Sequence, residues 1–511
     1  MRILSSRGTV SGLVLFALFL VSSARAAVTL TVGTNINITK SSANNAEECI
    51  AINPRNPLNL FMSETWSLAT RYSTDGGITW QDSNIGALGS SIGDVSAAFD
   101  TFGNLFLVRF GSGLRIVVGL STDGGATFSN LATSPSSNND QPTVVTGPSP
   151  VPGQGSVWIC YTDSSGRLVA QGANVTALGT VGSFSAPQAT AIGGDFGDII
   201  VGPTGQMAVT YQNGGSGVGP DIIRYALDPD GTGALGFGPV INATATQVGG
   251  FAGIPAQPSR TIDAEPGLVW DRSGGSFNGR LYLMYTDRSS TTSDDTDIYV
   301  RYSNDNGTNW SAPMRVNDDP VGNGKSQFLP KIALDQTSGY IAVSWYDCRN
   351  SAGNNTAEVW ATISTDGGQT FLPNVKVSAG ISSAIVAAVG SFNFGDYTGL
   401  TFHGGTFYPC WADNSNSTAD NPGGTLGTLD IYTARVTVNI PLLMLNPRYV
   451  SHTFTVTVRT TAAQTFYLES TDSLAPTSWV TRASIAGDGT LHELTDTTAS
   501  VAHRFYRIRA Q

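Results

Sequence analysis

Four stretches of this chain end in an aromatic run closed by an acid: WICYTD (Trp158–Asp163), LYLMYTD (Leu281–Asp287), IAVSWYD (Ile341–Asp347) and YPCWAD (Tyr408–Asp413). Arg167, Arg288 and Arg349 follow the first three closely, and Trp411 precedes the last acid. Tryptophan faces stack on sugar rings and arginine forks grip carboxylates, so these residue types in one concavity would suit a glycan. Cleaving a glycosidic bond needs two further groups flanking it, one of them an acid with a raised pKa. Asp94, Glu265 and Asp396 are candidates by position, each just ahead of an apolar strand-like run. The plainer alternative is that an acid such as Asp347 caps its own turn and pairs with the nearby arginine.

Other chemistries are excluded or open. His452, His492 and His503 fall in the last 60 residues, leaving His403 alone in the main body, so a Ser-His-Asp triad or multi-histidine metal site is not expected there. Cys49, Cys160, Cys348 and Cys410 form no CxxC; isolated thiols and two disulfides both remain open. No cofactor is required by these residues. Asp287, Asp294, Asp295 and Asp297 make an oxygen-rich loop of the kind that holds calcium, or a solvated acidic turn.

The elements that must position these residues are repeated. YSTDGGITW (Tyr72–Trp80) returns as LSTDGGATF (Leu120–Phe128), YSNDNGTNW (Tyr302–Trp310) and ISTDGGQTF (Ile363–Phe371). The gap between the second and third copies is about three times the later spacing, as if two units had lost the box. Each unit reads as four short strands, and such sheets bury both faces only when packed radially. The expectation is an all-β propeller over 27–439, with seven blades favoured and six or eight possible. Val28–Thr39 is an extra strand able to close the ring on the last blade. Residues 440–511 read as a small β-sandwich module, with turns at Ala475-Pro476 and Gly487-Asp488-Gly489.

The repeated pattern Ser-x-Asp-x-Gly-x-x-Trp/Phe resembles the Asp box, or bacterial neuraminidase repeat, of secreted sialidase-like propellers. The resemblance covers roughly residues 45–438. Its residues here are Ser73, Asp75, Gly77 and Trp80; Ser121, Asp123, Gly125 and Phe128; Ser303, Asp305, Gly307 and Trp310; and Ser364, Asp366, Gly368 and Phe371. Their physics is local. Ser and Asp bond turn N–H groups, Gly takes positive φ, and the aromatic buries its ring between blades. In a four-stranded blade this third turn lies opposite the start of the inner strand, so the boxes should sit far from any funnel site.

The resemblance implies a site with three arginines on a carboxylate, an acid/base Asp and a Tyr–Glu pair as nucleophile. Carried over by position, Arg260, Arg288 and Arg349 are the best available cationic cluster, and Asp396-Tyr397 an acid–nucleophile pair. Adjacent strand residues point to opposite faces, so both could face the funnel only if that strand begins irregularly. The family's arginine motif near the first blade is absent; Asn53-Pro54-Arg55-Asn56 stands there, and Tyr506-Arg507-Ile508-Arg509 only echoes it. Two readings follow: an exo-sialidase-like glycoside hydrolase, or a non-catalytic propeller binding glycan or protein at the same funnel.

The N-terminus carries a secretory leader pattern: Arg2 and Arg7, the mostly apolar Val10–Val21, then Ala24-Arg25-Ala26. Its removal near Ala26 would take the formal charge from −11 to about −14. An acidic chain with four lysines lacks the basic patch that nucleic acid demands. Secreted, periplasmic or surface location is expected, with 440–511 acting as spacer, stabiliser or attachment.

Overall fold

The computed structural model describes residues 28–90, 93–442, 444–460, 464–474, 478–487, 490–499 and 504–511. The leader pattern, the Ala475-Pro476 turn, Asp488-Gly489 and His503 lie outside them. Four-stranded antiparallel order repeats along the chain. The first sheet is Glu48–Ile52, Leu60–Glu64, Thr70–Ser73 and Gln81–Asp82, and the second Val95–Phe99, Leu105–Phe110, Ile116–Ser121 and Ser129–Thr133. The third starts at Asp140–Pro148, the fourth at Asp195–Val201, the fifth at Gly267–Trp270 and the sixth at Gln327–Asp335. The seventh comprises Gly399–His403, Thr406–Asp413 and Asp430–Asn439, and its outermost strand is Thr29–Asn37 from the chain's start, in register from Thr29↔Asn439 to Asn37↔Tyr432. First strands touch in succession, and that of the seventh sheet touches that of the first, so the seven close a ring.

Second strands explain the unbroken apolar runs. Leu105–Phe110, Gly155–Thr162 and Tyr340–Asp347 are buried at every residue, because a neighbouring sheet covers each face. The fourth strands of the first two sheets are short and largely exposed.

Each Asp box is a wired turn. The Ser73 hydroxyl donates to Asp75 Oδ1 at 2.8 Å and accepts from Gly77 N–H at 3.0 Å. Asp75 Oδ1 also accepts from Ile78 and Thr79 N–H, and Thr79 Oγ1 donates to Oδ2 at 2.6 Å. Ser121–Asp123, Ser303–Asp305 and Ser364–Asp366 repeat the scheme. The Asn309 side chain and N–H, with Ser303, hold Asp305 below the usual carboxylate range. The box glycines fit against an aromatic of the preceding sheet: Gly77 on Tyr408, Gly125 on Phe61, Gly307 on Tyr225 and Gly368 on Tyr282. Phe128 and Trp310 add ring contacts to Phe61 and Tyr225, with centroids 5.4 Å and 5.8 Å apart. Gly76 N–H donates to Leu58 O, in the turn between the first two strands. That is the end of the sheet away from Glu48 and Glu64, so the boxes and the funnel lie at opposite ends.

Beyond the ring, Leu445–Val450, Thr453–Arg459 and Leu491–Asp496 form one three-stranded sheet, and Val480–Ala486, Thr465–Thr471 and Phe505–Ala510 another. Val456, Val458, Phe466, Leu468 and Leu494 form their common core. Arg507 and Arg509 both donate to Glu469, which explains the Tyr506–Arg509 echo as an ion-paired strand.

Gly307 has φ +83°, and a Cβ there would overlap the Tyr225 ring; Gly153 has φ +78° with open space around it. Gly307→Ala should therefore cost about 2–4 kcal/mol and Gly153→Ala about 1 kcal/mol in denaturant unfolding, the difference measuring the inter-sheet contact.

Candidate functional site

Each innermost strand starts irregularly. In six sheets a non-glycine residue at or beside the start takes positive φ: Glu47 (59°), Asp94 (21°), Gln141 (45°), Phe196 (56°), Glu265 (45°) and Leu329 (46°). Register shifts accompany this between Asp140 and Thr143, Asp195 and Asp198, and Phe328 and Lys331. Such a bulge breaks strict alternation and re-aims side chains. In the seventh sheet Gly395 takes φ +82° ahead of Asp396-Tyr397, and both side chains then face the axis at different depths. Tyr397 Oη accepts from Val95 N–H and meets Thr65 Oγ1, each at 3.2 Å.

A hairpin, Ala252–Ile254 and Gln257–Ile262, stands between the fourth and fifth sheets and delivers Arg260. Asn393 Oδ1 accepts from the N–H groups of Ser259 and Arg260 at 3.0 Å each, and Gln257 Nε2 donates to Gly395 O at 2.8 Å. Arg260 grips Asp396 with two nitrogens, Nε to Oδ1 at 2.7 Å, and reaches Glu47 Oε1 at 3.2 Å.

These residues line a mouth cavity of about 550 Å³. Its carboxyl groups are Glu47, Asp94, Asp140, Asp195, Asp263 and Asp396, and its apolar wall includes Trp66, Phe110, Leu114, Phe196 and Phe251. Trp66 packs against Phe392 at an interplanar angle of 42°, with centroids 3.8 Å apart. Beneath it a channel of about 250 Å³ shares Asp94, Gln141 and Phe196, and adds Glu48, Asp198, Glu265, Lys331 and Tyr397.

Burial and crowding raise several of these carboxyls above their ordinary range. Burial, then the charges of Asp140 and Asp396, push Asp94 up to about 7. Burial also carries Glu265 to about 7, with Lys331 pulling against it. Glu47 rises for the same reason, helped by Asp396 and Asp94, and Asp263 rises by burial and by Glu265. Asp94 and Asp140 share one donor: Gln141 N–H reaches Asp94 Oδ2 at 3.2 Å and Asp140 Oδ1 at 3.0 Å.

Asp94, Asp396 and Arg260 thus meet at the mouth, with Glu265 and Tyr397 just below. The expected trio of arginines does not assemble. Arg288 spends its guanidinium on the carbonyls of Val218, Gln247 and Ser293. Arg349 is bound by Asp347, Asp318 and Asn374 and lies 4.1 Å over Trp360. Asp347 also takes Trp345 Nε1 at 2.8 Å, and buried Trp411 donates likewise to Asp413 at 2.9 Å. The aromatic-then-acid motif is therefore a cap within its own strand, which draws Asp347, Arg349 and Trp411 away from the cavity. The acidic loop does not converge either. Asp287 Oδ1 takes Thr246, Gln247 and Arg288, Asp295 Oδ1 takes the N–H groups of Gly324 and Lys325, and Asp297 Oδ1 takes Arg315 and Asn317. Asp294 contributes its carbonyl to Ser326. Among the described residues no group of three acids, histidines or cysteines is placed to hold a metal. All four cysteines are free thiols. Sequence reasoning missed Asp263, Lys331, Phe196 and Phe251. Asp263 sat two residues before Glu265 in TIDAEPG, the nearest thing to a signal.

Ring, wired turns and acid-lined funnel together define an Asp-box β-propeller. The sequence matches the BNR/Asp-box repeat over residues 71–82, which hold the first box. No curated protein sequence matches the chain. Solved structures similar to it include the BP39L lectin of Burkholderia pseudomallei, at TM-score 0.42 and 12% identity over 65% of this chain and 84% of that one. The endosialidase of phage phi92 gives TM-score 0.42 and 12% identity over 82% and 71%, and the alpha-L-arabinanase of Penicillium chrysogenum 0.38 and 14% over 62% and 94%. Among the described residues no helix is long and apolar enough to cross a membrane.

Because Asp94 keeps its proton up to about pH 7 in the fold but an ordinary Asp loses it near 3.8, its contribution to stability is full below about 3.8 and is lost as pH rises through 7. Asp94→Asn should leave the melting temperature nearly unchanged at pH 4 and raise stability by about 1–3 kcal/mol at pH 8.5, read by thermal denaturation.

Proposed function

We propose that the mouth cavity hydrolyses a glycosidic bond in a glycan without an acidic sugar. The observation that carries this is the Asp94–Asp140 pair: one carboxyl held near pKa 7, its exposed neighbour on the same amide donor, at an open cavity with aromatic walls. Asp94 would protonate the leaving oxygen, and Asp140 would either take a proton from the attacking water or form a glycosyl ester that water then cleaves. Trp66 and Phe251 offer ring faces for the sugar.

Exo-sialidase activity finds less support. Arg260 is the only cation among the described residues lining the cavity, and two carboxylates already hold it. A sialic acid carboxylate would meet six acidic groups and no available fork. The chain would work outside the cytoplasm once its leader is removed near Ala26, with residues 440–511 tethering or bracing the ring.

The test is release of fluorophore from a panel of neutral glycosides with a sialoside beside them. Turnover should fall about 10²–10⁴-fold in Asp94→Asn and in Asp140→Asn. The general acid must be protonated, so kcat/KM should drop as pH rises past about 7. No release above the Asp94→Asn background from any glycoside defeats the hydrolytic reading. Glycans retained on an array without turnover would make this a recognition site instead.

A further inference from the structure

We propose that the sugar held at this cavity carries a free amino group, so that the natural ligand is a cationic, de-N-acetylated hexosamine glycan. The inference rests on the glycan reading of the site and names its chemical class.

The charge balance of the cavity comes first. Arg260 is bound by Asp396 and Glu47, which leaves Asp140 and Asp195 facing the cavity without an ion-pair partner. Asp140 uses Oδ1 on Gln141 N–H, and Asp195 uses Oδ1 on Thr162 Oγ1 and Phe196 N–H. The second oxygen of each has no hydrogen-bond partner among the described residues. A neutral hydroxyl could donate to them, but only a positive charge relieves the repulsion as well.

A second observation lies below. Glu48 is 1% exposed, lines the channel that shares Asp94, Gln141 and Phe196 with the cavity, and has no side-chain partner on either carboxyl oxygen, only the backbone amides of Glu48 and Gly399 nearby. A buried carboxyl with no side-chain donor is costly, and here it adds to a site already short of donors. The third observation is the wall. Trp66 tilted against Phe392, and Phe196 set edge-on to Phe251 with centroids 5.9 Å apart, line the acids with aromatic rings. Aromatic faces beside carboxylates attract an ammonium through the ring quadrupole as well as by charge. Upward pKa shifts at Glu47 and Asp94, each driven partly by neighbouring acids, report the same deficit of positive charge.

The experiment compares three oligosaccharides of equal length and linkage on the full mature chain by calorimetry: glucosamine, N-acetylglucosamine and glucose oligomers at pH 6. The glucosamine oligomer should bind at least tenfold more tightly than the other two at low salt, and the gap should shrink at 0.3 M salt. Asp195→Asn should reduce the ratio of glucosamine-oligomer to glucose-oligomer affinity severalfold, because it removes a charge that only the ammonium exploits. Equal or weaker binding of the amino form, with the neutral oligomers still bound, overturns this inference and leaves the glycan reading standing. Failure of all three to bind, together with no turnover in the glycoside panel, overturns both.

Discussion

Everything in the ring depends on two-sided burial. A second strand such as Tyr340–Asp347 is buried at every residue. No single sheet can supply that, because each has two faces and one needs a neighbour on either side. An open row would leave the outer faces of its two end sheets wet. The seventh sheet avoids this by joining both ends of the propeller: Thr29–Asn37 pairs with Asp430–Asn439 and completes the sheet that touches the first. The closing contact buries apolar surface and satisfies an edge in one step.

Closure has a chemical consequence. Seven innermost strands start round one axis, so whatever residues begin them are forced into a shared concavity. Here those residues are mostly acids, and left-handed backbone at Glu47, Asp94 and Glu265 turns them inward. The fold brings like charges together, and the chain answers with one inserted hairpin that carries Arg260 across to Asp396 and Glu47. One guanidinium cannot neutralise six carboxyls. Burial and the neighbouring acids push Asp94 up to about 7, and a carboxyl that keeps its proton near neutrality is able to give it away. In this structure the electrostatic strain and the chemical opportunity are the same thing.

At the opposite end the Asp boxes play a different part. They carry the most repeated residues of the chain, yet their Ser and Asp groups are wholly occupied with the turn, and their glycines serve the contact with the preceding sheet's aromatic. The cavity proposed as the site lies at the other end of every strand.

What the sequence determined by itself was everything written in local hydrogen bonds and in period. The box pattern identified the hairpin turns, their Ser–Asp wiring and their end of the sheet, because every partner lies within five residues. Continuous apolar runs marked strands buried on both faces. The positional logic that put Asp94, Glu265 and Asp396 ahead of inner strands also held, since it needed only strand order. Which arginine serves the cavity was decided by tertiary structure alone. Arg349 follows its acid so closely that a local pair wins, and Arg288 finds nearby carbonyls, whereas Arg260 meets an acid 136 residues away. The positive φ that lets Asp396 and Tyr397 share an axis, the pairing of Asp94 with Asp140, and the proton each acid keeps all depend on distances between sheets. Burial and neighbouring charge set those properties, and neither exists until the ring has closed.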